Sequence, residues 1–219
     1  MYVASTDFCL KITGSRSFGG LSASQFMLGW LLYPDDWKAA RAIKIKYPLP
    51  EGCSVGQDGG YTSLQDLFDS SGAFRLDMPG SGSLPESVQD LSDKAQLIIS
   101  LLEGSEPRIF PANDGGAVRW LAASEADSGL IDSLQRHLAI HWPEMSRLAL
   151  ESGDREVWGL VPKAMLSIQQ SNCGNSLPGP LRRRVEMAIN RLAPVSWLYK
   201  IALAMGLGWL AACMLLIAR

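Results

Sequence analysis

The chain has 219 residues, 47% of them apolar and 19% charged, with a net charge of −2. That composition suits a globular protein with one ordinary core and excludes an intrinsically disordered chain. The charge is unevenly spread: residues 182–219 hold six basic groups and one acid, and subtracting these from 20 basic and 22 acidic residues leaves 14 and 21, a net −7 for everything before them. So acidic a head is poorly suited to neutralising phosphates, and no nucleic-acid partner is expected.

The N-terminal run MYVASTDFCLKI lacks both a basic n-region and a long apolar h-region, so no secretory leader is expected. Residues 3–12 and 42–49 have strand character, the second alternating Ile43, Ile45 and Tyr47 with lysines. Between them, Ser22 or Ser24 is placed to cap a short apolar helix that ends near Tyr33 and Pro34. Residues 51–60 read as a Gly-rich loop, 62–68 as a helical turn and 72–78 as a further strand. The triplet Asp-Gly-Gly occurs at 58–60 and 114–116 in unlike surroundings, which marks two turns rather than a repeat.

Helices are expected to dominate after about residue 84. Ser83 and Glu86 fit a capping box, and Val88, Leu91, Ala95, Ile98 and Leu102 step by three and four toward an end at Gly104. Residues 108–111 and 117–122 read as strands. Residues 128–142, 144–151 and 155–170 read as helices, with Pro143 separating the first two and Pro162 straining the third. The expected class is α+β, with strands mainly in the first half and a single transmembrane helix at the C-terminus. The expected organisation is a cytosolic head over 1–170, a hinge over 171–180, a basic amphipathic juxtamembrane helix over 181–194 and an anchor over 195–219.

The anchor rests on residues 201–218, which run 18 positions without a charge. As a helix they span about 27 Å, close to the thickness of a bilayer's hydrocarbon core. Trp197 and Tyr199 sit where headgroups would lie, Lys200 is placed to snorkel, and Trp209 falls inside the run. Ala204, Gly208 and Ala212 repeat every four residues, the spacing of a helix-packing stripe that suits a homo-oligomer or another membrane subunit. Arg182, Arg183, Arg184 and Arg191 border an apolar face of Leu181, Val185, Ala188, Ile189 and Leu192, a pattern suited to anionic headgroups. Basic residues before the span and only Arg219 after it place the head in the cytoplasm. A bacterial inner membrane is the expected location, and a eukaryotic tail-anchored membrane has the same physics.

Catalytic signatures are sparse. His137 and His141, the only two histidines, stand four apart on an expected helix, at the edge of a stripe of Leu130, Leu134 and Leu138. That spacing suits two ligands of a divalent metal, with Glu144 or Asp127 as a possible third, but the pattern lacks the acid of HExxH. Cys9, Cys53, Cys173 and Cys213 form no CxxC pair, and none of the first three has a nucleophile's local signature. Neither a GxSxG elbow nor a phosphate-binding glycine loop is present. Trp30, Trp37, Trp120, Trp142 and Trp158 are expected mainly in the core. No cofactor is expected. The leading expectation is a tail-anchored adaptor or accessory subunit that holds a cytosolic partner at the membrane. The alternatives are a membrane-anchored hydrolase or metal-dependent enzyme using His137 and His141, and a single-span effector that damages membranes.

Overall fold

The structure, a computed structural model, describes residues 2–50, 55, 59–76, 84–173, 179, 181, 182, 184 and 185. The chain divides into two units, Met1–Leu177 and Pro178–Arg219.

The first element is a helix, α1 (Tyr2–Thr13), where the sequence suggests a strand. Val, Thr and Ile favour strands locally, but burial decides the matter. Ser5, Phe8, Cys9, Ile12 and Thr13 are the buried positions, and they recur by three and four. The two-residue strands β1 (Ser17–Phe18) and β2 (Leu21–Ser22) form a tight antiparallel pair and lead into α2 (Ala23–Leu32). Of the two candidate serines, Ser22 is the cap: its Oγ accepts from the Gln25 N–H, and the Gln25 side chain accepts from the Ser22 N–H at 2.9 Å. Pro34 then opens a new helix, α3 (Pro34–Ala39), at a position where its missing N–H costs nothing.

The strand expected over 42–49 shrinks to β3 (Ile43–Lys44), paired antiparallel with β4 (Tyr61–Thr62). Over 62–68 the helical turn is a single 3-10 turn, Gln65–Leu67. Over 72–76 the described chain makes only one bridge, between Phe74 and Phe68. Helix α4 (Glu86–Leu102) buries Val88, Leu91, Ala95, Ile98 and Leu101, with Leu102 only partly covered. Its N-cap is Pro85, with no side-chain cap bond; Ser83 lies outside the described residues. At its C-terminal end the Ser105 N–H donates to the Ser100 carbonyl and the Gly104 N–H to that of Leu101, a Schellman closure. Lys94, 3% exposed, lies on the buried side of α4 and donates to Asp90 and to the Lys44 carbonyl.

A second, smaller core follows. Strands β5 (Phe110–Asp114) and β6 (Ala117–Leu121) form a five-residue antiparallel hairpin with Asp114 opposite Ala117. Its two-residue loop is Gly115-Gly116, with φ of +61° and +95°. A two-residue hairpin loop with both residues at positive φ has the right twist for its strands, and glycine adopts it without a Cβ penalty. These longest strands lie beyond residue 84, while the described residues before it form three α-helices and only two-residue strands. The mixture of helix and strand stands, but its distribution differs from the expectation, because burial turned residues 3–12 helical.

Pro143 does not divide two helices: α5 (Ser133–Glu151) runs straight through it. Proline inside a helix forfeits one backbone hydrogen bond at a cost of about 3 kcal/mol. Burial of Leu138, Ala139 and Trp142 before it and Ala149 after it offsets that loss. The helix expected over 155–170 is broken at Gly159 into α6 (Arg155–Trp158) and α7 (Leu160–Cys173). The break relieves Pro162, which falls in the first turn of α7 where proline is tolerated. Side-chain amides bind these helices to the hairpin. Gln135 donates to the Pro111 carbonyl at 2.6 Å, and Gln169 donates to that of Ile109 at 2.9 Å.

Helix α2 joins the two cores. Phe26, Met27 and Trp30 belong to the first, while Leu28 and Leu31 pack on the second. A helix used on both sides must be apolar all round, and from Phe26 onward the sequence FMLGWLL meets that requirement.

Candidate docking site

The chemistry-bearing residues singled out in the sequence do not assemble into a catalytic centre among the described residues. What the fold does assemble is a groove. It is walled by α5, α6 and α7 and floored in part by α2, and encloses about 700 Å³. Leu28 and Leu32 reach it from α2, Trp142 and Leu150 from α5, and Val161 and Met165 from α7. Only Ser146, Lys163 and Gln169 interrupt the apolar lining with longer polar or hydroxyl groups, and the Gln169 amide already donates to the Ile109 carbonyl.

The rim follows from the helix break. Asp154 caps α6 through a bond from the Glu156 N–H at 2.8 Å, and the helix lasts only four residues before Gly159 redirects the chain. Trp158 is therefore left at the end of a short helix, 55% exposed, and Leu160 at the start of the next is 59% exposed. Leu150 and Leu166 complete an exposed apolar edge. A half-exposed indole beside an apolar groove is the kind of patch that marks an interaction surface. In volume and lining the groove fits an apolar ligand or an apolar helix. A second cavity, about 570 Å³, lies between α3, the end of α4 and α5, and its wall carries Lys38, Glu103, Glu106 and Asp127 among apolar residues.

Of the sequence candidates, His137 and His141 do meet. Their rings lie with centroids 4.6 Å apart on α5, tilted by 46°. The expected stripe is split, however: Leu138 is buried, while Leu134 is 70% exposed and shares the outer face with the histidines. Neither carboxylate suggested as a third ligand joins them. Asp127 pairs with Arg136 at 3.7 Å and Glu144 stands exposed, and no group of three metal-type side chains occurs among the described residues.

The cysteines give no nucleophile. Burial pushes the Cys9 thiol above its ordinary value, opposed in part by its hydrogen bond with Thr13, and burial alone raises Cys173. A thiol held neutral is a poor attacking group. Cys53 and Cys213 lie outside the described residues. Trp30 and Trp142 are core residues, as expected; Trp37 packs on Phe26 and Trp30, and Trp120 is half-buried. Trp158 is the exception. The signal that would have found it is the sequence Trp-Gly-Leu-Val-Pro, in which Gly159 and Pro162 together force a helix restart.

In the second unit, residues 181, 182, 184 and 185 are helical, and Leu181 and Val185 are exposed. Arg183, Arg191, Trp197, Tyr199, Lys200, Trp209, Ala204, Gly208 and Ala212 lie outside the described residues. Among the described residues no helix is long and apolar enough to cross a membrane.

No family model matches the chain. It is similar to Protein NrfI of Wolinella succinogenes, with 26% identity over 200 residues that cover 85% of this chain. The same residues cover 22% of that protein, so the chain spans about a fifth of the length of the relative it matches.

Proposed function

We propose that this chain is a membrane-tethered accessory module that holds a partner polypeptide against its helical half. The partner contributes an apolar helix, which lies in the groove between α5, α6 and α7. The observation that carries this reading is the groove itself, mainly apolar in its lining and edged by the exposed Trp158 and Leu160. Helix-in-groove recognition uses an apolar channel of this kind, with aromatic anchors at the edge. Two further observations support it. The chain resembles a fifth of a longer protein, as expected of a module that works inside a larger assembly. The uncharged run over 201–218, preceded by clustered arginines, has the length and flanks of a membrane anchor with the head on the cytoplasmic side.

The test has two arms, both on the full chain. Alkaline carbonate washing of membranes reads the tether: retention in the membrane pellet is expected, and release into the supernatant refutes it. A photo-crosslinking side chain at position 158 reads the groove, with the same group at exposed Arg16 as the control. A discrete polypeptide adduct from position 158, absent from position 16 and lost with Leu160→Glu, is expected. Equal labelling from both positions would remove the groove from the account.

A further inference from the structure

The outer face of α5 carries a feature that the docking groove does not use. Leu134, His137, His141, Met145 and Leu148 follow one another at intervals of three and four, and so share one side of the helix. The buried side of the same helix is Gln135, Leu138, Ala139, Trp142 and Ala149. His137 is exposed and His141 half-exposed, and their ring centroids stand 4.6 Å apart. Among the described residues no hydrogen bond or ion pair engages either ring, so both keep a lone pair available in the neutral state.

The geometry points to a bidentate, solvent-facing clamp for a borderline divalent transition metal, formed by His137 and His141. Two imidazoles one helical turn apart can bind one ion from the same side, each at the roughly 2.0–2.1 Å typical of a metal–imidazole bond. Imidazole selects zinc, copper or nickel over the hard cations magnesium and calcium, which take oxygen donors. One turn further on, Met145 puts a thioether on the same face, which adds to the soft character of the site. With no third protein ligand among the described residues, the remaining coordination positions belong to water or to donors brought by whatever meets this face. The clamp is independent of the docking groove, which lies on another side of α5.

The experiment uses the full chain, purified in detergent without a histidine tag, and isothermal titration with Zn²⁺ and Cu²⁺ near pH 7.5. The chain contains only two histidines, so the source of any imidazole ligand is unambiguous. One equivalent of metal per chain is expected, with no heat from Mg²⁺ or Ca²⁺ under the same conditions. Because the second imidazole binds as an intramolecular partner, His137→Ala and His141→Ala should each weaken binding about 100-fold. Electron paramagnetic resonance of the Cu²⁺ form should show two nitrogen ligands, falling to one in either variant. A rearranged variant, His141→Ala with Glu144→His, keeps two histidines but sets them about 10.5 Å apart along the helix. It should bind no better than a single-histidine variant. All three substituted positions, 137, 141 and 144, are solvent-accessible, so circular dichroism is expected to show unchanged folding. Wild-type affinity in the rearranged variant, or stoichiometric binding that survives loss of both histidines, overturns the assignment, and so does absence of binding at millimolar metal.

Discussion

Gly29→Ala tests how closely α2 and α3 approach in the first core. In an ordinary helix interior the substitution stabilises by about 1 kcal/mol, because glycine has the larger backbone entropy to lose. Here the opposite sign is expected. A Cβ at position 29 would meet the Trp37 indole at 2.5 Å from Cε2 and Nε1, and at 2.7 Å from Cζ2. Comfortable heavy-atom separations are about 3.5–4.0 Å, so the ring has to retreat by roughly 1 Å. It has little freedom to do so. Trp37 stands edge-on to Phe26 with centroids 5.1 Å apart and tilted against Trp30 at 5.8 Å. Overpacking costs about 1–3 kcal/mol, and weakened aromatic contacts add about 0.5–1.5 kcal/mol each. The helix gain offsets only part of this, leaving a net loss of about 1–2 kcal/mol. Urea denaturation followed by far-ultraviolet circular dichroism measures it. In a Trp37→Ala background the same Gly29→Ala change should stabilise by about 1 kcal/mol, a coupling of about 2–3 kcal/mol between the two positions. Stabilisation of the otherwise native chain, or simple additivity of the two substitutions, would refute the close approach.

Three further outcomes follow from other buried or paired groups. Lys94→Met removes one member of a covered pair and leaves Asp90 and the Lys44 carbonyl without their donor, so it should cost about 3 kcal/mol in urea denaturation, whereas adding Asp90→Leu should recover much of that loss. Glu125 is held below the ordinary carboxylate range, first by the Ala122 N–H and then by Arg108 and Arg119, so its contribution is complete above the unfolded-state value near pH 4.5 and disappears as pH falls through the lower folded value. Thermal melts should therefore show a smaller acid-side loss for Glu125→Gln than for the native chain, with parallel curves above pH 5. Cys9 and Cys173, buried and with raised thiol pKa, should resist iodoacetamide at pH 8 in the folded chain and react fully in urea, as read by peptide mass mapping.

What was legible in the sequence was whatever depended on local chemistry. A serine cap at 22 or 24, the apolar face of α4 and the Asp-Gly-Gly turn at 114–116 each involve residues close in the chain, and each appears in the structure, with Ser22 as the cap. What depended on distant packing was not. Residues 3–12 have local preferences divided between strand and helix, and only their burial by threes and fours made them helical. Pro143 reads locally as a stop, yet burial on both sides of it carried α5 through. The groove was invisible for the same reason: its walls come from α2, α5, α6 and α7, and no single window of sequence contains them. The histidine pair was legible because its spacing is intrinsic to one helix. Its exposure was not, since Leu134 proved to face solvent while Leu138 turned inward.

The continuity of α5 is what allows one helix to serve three surfaces. Its first half, before Pro143, supplies Leu138 and Ala139 to the second core and His137 and His141 to the outer face. Its second half supplies Ser146 and Leu150 to the groove and Met145 and Leu148 to the outer face. Had Pro143 ended the helix, the second half would have no fixed rotation about the first, since about 100° per residue is what holds the faces in register. The groove would lose the alignment of Trp142 with Leu150, and Met145 would no longer follow His141. The forfeited hydrogen bond at Pro143 is thus a local cost with a non-local return. Core packing by Trp142 and Ala149 on either side of the proline keeps the groove wall and the histidine face in register.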